Sequence, residues 1–166
     1  MILPGEQIKI FCDMDDVLTA FSATVSRLGH ATGLPFDAPF EAKEAMYKAI
    51  DKAGIGFWAG MPWTPSGKHV WEIVNKYCPS PVLLSSPGYM RYAPAGKELW
   101  VKFNLPGVPL FLSTTKSEYV ERDAILIDDS SINIGGWKEC GGLGILYEGD
   151  PARLEQQLYS FFRWAP

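Results

Sequence analysis

The residues that most often hold transition metals are scarce in this 166-residue chain, which has two histidines, His30 and His69, and three cysteines, Cys12, Cys78 and Cys140. The cysteines are odd in number and none forms a C-x-x-C pair, which argues against both a disulfide framework and a zinc site. The same scarcity argues against a histidine-rich metal centre. Also missing is any apolar run near the 18 or so residues that a membrane helix needs. The segment Met1-Ile2-Leu3-Pro4-Gly5-Glu6 lacks the basic start and the cleavage site of a signal peptide, so a cytoplasmic protein with no membrane partner is expected. Net positive charge is absent too. At a formal charge of −4 the chain offers no global basic field, and no duplex nucleic acid is expected as a partner. A small anion neutralised by a metal ion is the easier ligand.

What is present is enough apolar material for a core. The composition, 47% hydrophobic and 20% charged, fits a single domain over residues 1–166. Gln7 to Cys12 reads as a short buried strand that runs into the acidic cluster Asp13-Met14-Asp15-Asp16. Pro81 to Leu84, Val108 to Leu112, Ala124 to Ile127 and Leu143 to Leu146 have the same character. Helical segments are expected at Ala95 to Phe103, at Ser117 to Arg122 and at Pro151 to Trp164, the last begun by Asp150 and Pro151. Alternation of this kind predicts an α/β fold, a Rossmann-like, mainly parallel sheet with right-handed crossovers.

One interval breaks the rhythm. Asp13 and Ser85 are 72 positions apart, whereas a βαβ unit needs roughly 30 residues. The surplus, placed at about residues 20–76, predicts a small helical cap inserted after the first strand, with a helix over Ala42 to Ala53 and the aromatic stretch Phe57 to Trp63.

Ligands of open parallel sheets bind beyond the carboxyl ends of the strands. Four strand ends deliver Asp13 and Asp15, then Ser85 and Ser86, then Lys116, then Asp128 and Asp129. Carboxylates gathered at one edge repel one another unless a cation sits among them, and a hard, oxygen-preferring ion such as Mg²⁺ meets that need. A lysine and a hydroxyl at the same edge would complete a phosphate cradle. Lys97 and Lys102 lie near the same region as Lys116. Phe21, Phe57, Trp58 and Trp63 are candidates for a substrate wall, set against the ordinary use of large aromatics as the core of a small insertion. Cys12 reads as a small buried hydrophobe, and the two histidines as surface residues.

The segment Asp13 to Thr19 resembles the first motif of the haloacid dehalogenase-like phosphatases. Leu83-Leu84-Ser85 is similar to their second motif, Lys116 to their third, and Ile125 to Asp129 to their fourth. Within that superfamily the first motif, the Ser85-Ser86-Pro87 triplet and the helical insertion most resemble the 5′(3′)-deoxyribonucleotidase branch and related short phage and bacterial proteins. Asp16 departs from the pattern, since the family commonly has glycine there. The resemblance implies an Mg²⁺-dependent phosphomonoester hydrolase in which Asp13 is the nucleophile and Asp15 the general acid and base. Ser85 and Lys116 would hold the phosphoryl group. Metal ligation would come from Asp13, the Asp15 carbonyl and Asp129, with Asp128 beside them and open to exchange of roles with Asp129. The expected partner is a small phosphorylated molecule such as a nucleoside monophosphate. Sugar phosphates, polynucleotide ends, and a binding protein without turnover are the alternatives.

Overall fold

The computed structural model describes residues 8–33 and 40–163. The expected ends at Gln7 and Trp164 lie outside the described residues. Five short strands, β1 (Ile10–Cys12), β2 (Val82–Ser85), β3 (Leu110–Leu112), β4 (Ile125–Asp128) and β5 (Leu143–Leu146), form one sheet in the order β3-β2-β1-β4-β5. Every pairing is parallel, with Phe11 opposite both Val82 and Leu126. β1 is central, and the chain builds β2 and β3 on one side of it before crossing to β4 and β5. That reversal opens a crevice at the carboxyl end of β1.

Period-two alternation divides the strand residues between two cores. Ile10, Cys12, Leu83, Ile125, Ile127 and Ile145 belong to the larger one, while Phe11, Val82, Leu84 and Leu126 belong to the smaller. The larger core takes Val70, Ile73 and Val74 from α4 (Gly67–Tyr77), Trp100 and Val101 from α5 (Ala93–Asn104), and Leu154 and Leu158 from α7 (Pro151–Arg163). The smaller is closed by Ile134 and Trp137 of α6 (Ser131–Glu139), with Trp137 edge-on to Phe11 at 5.2 Å between ring centroids. Burial on both sides explains why the central strands read as continuous apolar runs.

Between β1 and β2 stand α1 (Phe21–Thr32), α2 (Phe40–Ala53), α3 (Ile55–Ala59) and then α4. α1 stops at Gly33, whose φ of 71° lets the chain turn left-handed. The two crossings between this helical region and the sheet run side by side. Ala20 N–H donates to the Pro62 carbonyl at 2.9 Å, and Thr64 N–H donates to the Leu18 carbonyl at 2.7 Å. α4 falls inside the 20–76 span but packs on α7, through Lys76 to Glu155 at 2.5 Å and Tyr77 against Phe162. It is the crossover helix of the β1–β2 unit.

Two expectations change. In place of a helix over Ser117 to Arg122 there is a 3₁₀ turn, Lys116–Tyr119, then extended Val120 and a second turn that Ala124 N–H closes on the Glu121 carbonyl at 3.1 Å. Val120 leaves the helical conformation, and Asp123, at φ 61°, turns the chain into β4. Conversely, the unexpected helix α6 follows β4, with the Ser130 hydroxyl accepting the Asn133 N–H at 3.4 Å as its cap. At α7 the Asp150 carboxylate accepts the N–H groups of Ala152 and Arg153, as the Asp-Pro start implies. Among the described residues no helix is long and apolar enough to cross a membrane.

Candidate active site

The Asp13 backbone is still in register with the sheet, its N–H donating to the Ile127 carbonyl at 2.9 Å. Immediately afterwards the Met14 carbonyl accepts N–H groups from Val17, Leu18 and Thr19. This tight turn folds Asp15 and Asp16 back over the strand end. It requires a left-handed residue at Asp16, which has φ 59°. Glycine is the usual solution there, but aspartate tolerates this conformation better than most residues.

Ser85 closes β2 and is fully buried, as is Asp128, which closes β4. Lys116, 3% exposed, starts the 3₁₀ turn and points inward. Its ammonium lies 2.7 Å from Asp13 Oδ1 and 2.6 Å from Asp128 Oδ2. Asp128 is further held by the Ser130 N–H at 2.8 Å and by the Asn133 side-chain amide, which reaches both carboxylate oxygens at 3.2 and 3.1 Å. Asp129 stands beyond the strand, more exposed. One ligand oxygen each from Asp13, Asp128 and Asp129 lies within 4.8 Å of the others.

Negative charge exceeds positive in this cluster, and the acidities respond. Burial, then Asp13, Asp128 and Asp16, raises the pKa of Asp129 from 3.8 to about 7. Asp128 is raised by burial and by Asp13, against the pull of Lys116 and the Ser130 N–H. Burial works to lower Lys116, yet Asp13 and Asp128 together raise it, so the lysine stays charged. One ammonium among three carboxylates leaves a deficit that a divalent cation would fill. The donors are all hard oxygens, which fits Mg²⁺. Asp128 already spends its oxygens on Lys116, Ser130 and Asn133, so Asp13 and Asp129 are the carboxylates with most capacity left for an ion.

The structure also brings in Lys97, which sequence reasoning weighed only as a rival to Lys116. It sits on α5 and is 2% exposed. Its ammonium donates to Asp15 Oδ2 at 2.6 Å, Ser85 Oγ at 2.9 Å and the Ser86 carbonyl at 2.7 Å. The opposite oxygen of Asp15 accepts the Thr19 hydroxyl at 3.3 Å. Burial raises Asp15, Lys97 opposes that, and Asp13 adds to it, with a net upward direction. Asn133 is a second residue that sequence reasoning missed. Its signal was its place three residues after Ser130 in a cap. Lys102, by contrast, is exposed.

Ser86 turns its hydroxyl to the Gly88 N–H at 3.1 Å. Trp58 is 4% exposed and is stacked on half-buried Phe21, with centroids 5.5 Å apart and planes 17° apart. Trp63 gives its indole N–H to Asn104 at 3.1 Å and packs on Trp100. Cys12 is fully buried, and burial drives its thiol far above the usual range. His30 and His69 are exposed, His69 lying 3.5 Å from Glu72.

No protein-family model matches the sequence, and no curated protein matches it. Solved structures do match. A haloacid dehalogenase-like hydrolase from Burkholderia xenovorans superposes with a TM-score of 0.56 at 12% identity, over 97% of this chain and 90% of the other. A protein named as a HAD-hydrolase, from Bacillus subtilis and bound to magnesium, gives 0.54 at 10% identity, over 92% and 99%. A hydrolase from Pseudomonas syringae gives 0.51 at 13% identity, over 97% and 100%. With its five-stranded parallel sheet and its helical region between the first two strands, this chain has the fold of the haloacid dehalogenase-like hydrolases.

Proposed function

We propose that the chain is a phosphomonoester hydrolase that works with Mg²⁺ through an aspartyl-phosphate on Asp13. The observation that carries this reading is the placement of Asp13 at the end of the central strand, 2.7 Å from the Lys116 ammonium and within 4.8 Å of the Asp128 and Asp129 oxygens. In the first step an Asp13 oxygen attacks phosphorus, the bond to the alcohol oxygen breaks, and Asp15 gives that oxygen its proton. In the second, water attacks the aspartyl-phosphate, its proton passes to Asp15, and the bond to Asp13 breaks to release phosphate. A pKa raised by burial suits Asp15 to both halves of this cycle. Lys116 supports the charge spread over the phosphoryl oxygens, and Ser85 lies where a hydroxyl can bond one of them. Mg²⁺, held by the Asp13 and Asp129 carboxylates and the Asp15 carbonyl with Asp128 behind them, would supply further positive charge to the phosphoryl group.

Among phosphomonoesters we place nucleoside monophosphates first. This finer reading is supported by the resemblance of Asp13 to Thr19 and Ser85 to Pro87 to the deoxyribonucleotidase branch, and by the half-buried Phe21 and Phe57 of the helical insertion. The test is phosphate release by the purified protein with Mg²⁺ from a panel of nucleotides, sugar phosphates, a 3′-phosphorylated oligonucleotide and an aryl phosphate. Release from none of them would leave a binding protein on this fold.

A further inference from the structure

The two buried lysines hold different halves of the site. Lys116 joins Asp13 to Asp128, whereas Lys97 joins Asp15 to Ser85. A buried ammonium is costly unless its charge is paired and its three donors are used. Lys97 uses all three, on Asp15, Ser85 and the Ser86 carbonyl. Neutralising Asp15 would need only the first of these. The other two fix where the ammonium stands, and so where the Asp15 carboxylate must point. Without Lys97, Asp15 would keep only the 3.3 Å bond from Thr19.

The far side of Lys97 is closed by the helical insertion. Its ammonium lies 5.4 Å from the centre of the Trp58 ring. The neighbouring residue, Gly96, leaves room for that ring, because a Cβ there would overlap Trp58 Cβ and meet the Ile55 carbonyl at 3.2 Å. α3 is therefore seated directly on the turn of α5 that carries Lys97.

We propose that Lys97 is a positioning residue that aims the Asp15 carboxyl at the leaving-group oxygen and is itself held in place by Trp58. This rests on the phosphatase reading and adds to it a residue outside the four motifs. A group that acts through the proton donor leaves a signature in the choice of substrate. An alkyl phosphate needs its leaving oxygen protonated, while a nitrophenyl phosphate does not. Misplacing a catalytic group by about 1 Å costs on the order of 100-fold.

The test compares the parent with Lys97→Met and Lys97→Gln on an alkyl phosphate and on 4-nitrophenyl phosphate, with Mg²⁺ present and folding checked by near-UV circular dichroism. The expected result is a loss in kcat of on the order of 100-fold on the alkyl ester. The loss on the nitrophenyl ester should be about fivefold or less, and inhibition by inorganic phosphate should change little. In an Asp15→Asn background the same lysine substitution should cost the alkyl ester almost nothing further, since the group it aims is gone. Equal losses on both esters, or a full further loss in the Asp15→Asn background, would overturn the proposal. Should the Met variant not fold, Gln retains polarity and most of the volume and carries the same comparison. Should neither fold, Trp58→Phe, which thins the wall behind Lys97, is expected to show the same alkyl-selective loss in kcat on a smaller scale, and its absence overturns the proposal. A parent protein inactive on every ester would instead refute the phosphatase reading, which separates the two failures.

Discussion

The Asp16 carboxylate accepts the Ser22 backbone N–H at 2.8 Å and the Ser22 hydroxyl as well. Ser22 is the second residue of α1, whose own N-cap, Ala20, offers no side-chain acceptor. Aspartate at this left-handed position therefore does what glycine cannot, capping the helix that leads into the insertion. Two effects oppose each other in Asp16→Gly. Relief of the positive φ is worth about 1 kcal/mol. Loss of hydrogen bonds to a charged acceptor costs about 1.5–3 kcal/mol, so the bonds win. The variant should lose about 1 kcal/mol and melt roughly 2–4 °C lower, while Asp16→Asn, which keeps an acceptor and tolerates the same φ, stays within about 0.5 kcal/mol of the parent. A glycine variant that melts higher than the parent would show that the turn, and not the cap, governs this position.

Much of this architecture was legible because parallel strands write themselves as apolar runs that end in polar residues. Asp13, Ser85 and Asp128 each close or follow such a run, so their convergence at one edge follows from the fold class. Lys97 was not legible in the same way, because a lysine inside a helix usually faces water and nothing in the local pattern says that this one turns inward. Helix α6 was hidden by Gly135-Gly136, which lower helix propensity; its N-terminal cap and the burial of Ile134 and Trp137 outweigh them. The reach of Lys116 was legible as a position but not as a bridge, because the partners it joins, Asp13 and Asp128, are 115 residues apart in sequence.

Asp13→Asn should abolish turnover while the protein remains folded. The amide is a far weaker nucleophile, and a loss of at least about 10³-fold in kcat is expected on every phosphomonoester. Lys116→Met should be the more damaging change to stability, because it leaves two buried carboxylates without their counter-ion, at a cost of about 3–5 kcal/mol. Phosphate release and thermal melting of the two variants, measured side by side, check both statements. Activity in Asp13→Asn within tenfold of the parent would remove Asp13 from the mechanism.

Mg²⁺ should bind in competition with protons at Asp129. That carboxyl is raised from 3.8 to about 7 without a metal, by burial and by its acidic neighbours. Its folded-state pKa lies above the unfolded value, so in chelator it contributes stability fully below about pH 4, and that contribution is lost as pH rises through about 7. Metal affinity should run the other way, rising with pH up to about 7 and then levelling off. Melting in chelator and Mg²⁺ titration calorimetry across pH 5–8 would show both trends. In Asp129→Asn the melting trend should flatten and Mg²⁺ affinity should fall at least about tenfold. Full phosphatase activity in excess chelator would sink the metal reading.

Trp58 and Trp63 differ in what their indole N–H groups do, and that difference can be read by experiment. Trp63 donates to Asn104 and packs on Trp100, so Trp63→Phe should cost about 1 kcal/mol of stability for the lost bond and leave KM unchanged for all substrates. The Trp58 N–H is buried and has no hydrogen-bond partner among the described residues. Its ring is stacked on Phe21 and lies under the Lys97 ammonium, so little of its face is left for a base to stack on. What Trp58 can still offer a substrate is that N–H. An unmet buried donor costs about 1–3 kcal/mol, and removing it in Trp58→Phe should offset the smaller ring's lost packing and hold the melting temperature near that of the parent. If the donor is used when substrate binds, the same variant raises KM for a nucleoside monophosphate by about fivefold, the worth of one hydrogen bond of about 1 kcal/mol. A small aryl phosphate, which reaches only Asp13 and the metal, should keep its KM. Should Trp58→Phe leave both KM values unchanged, the tryptophan makes no contact with substrate and the nucleotide reading loses its support from this residue.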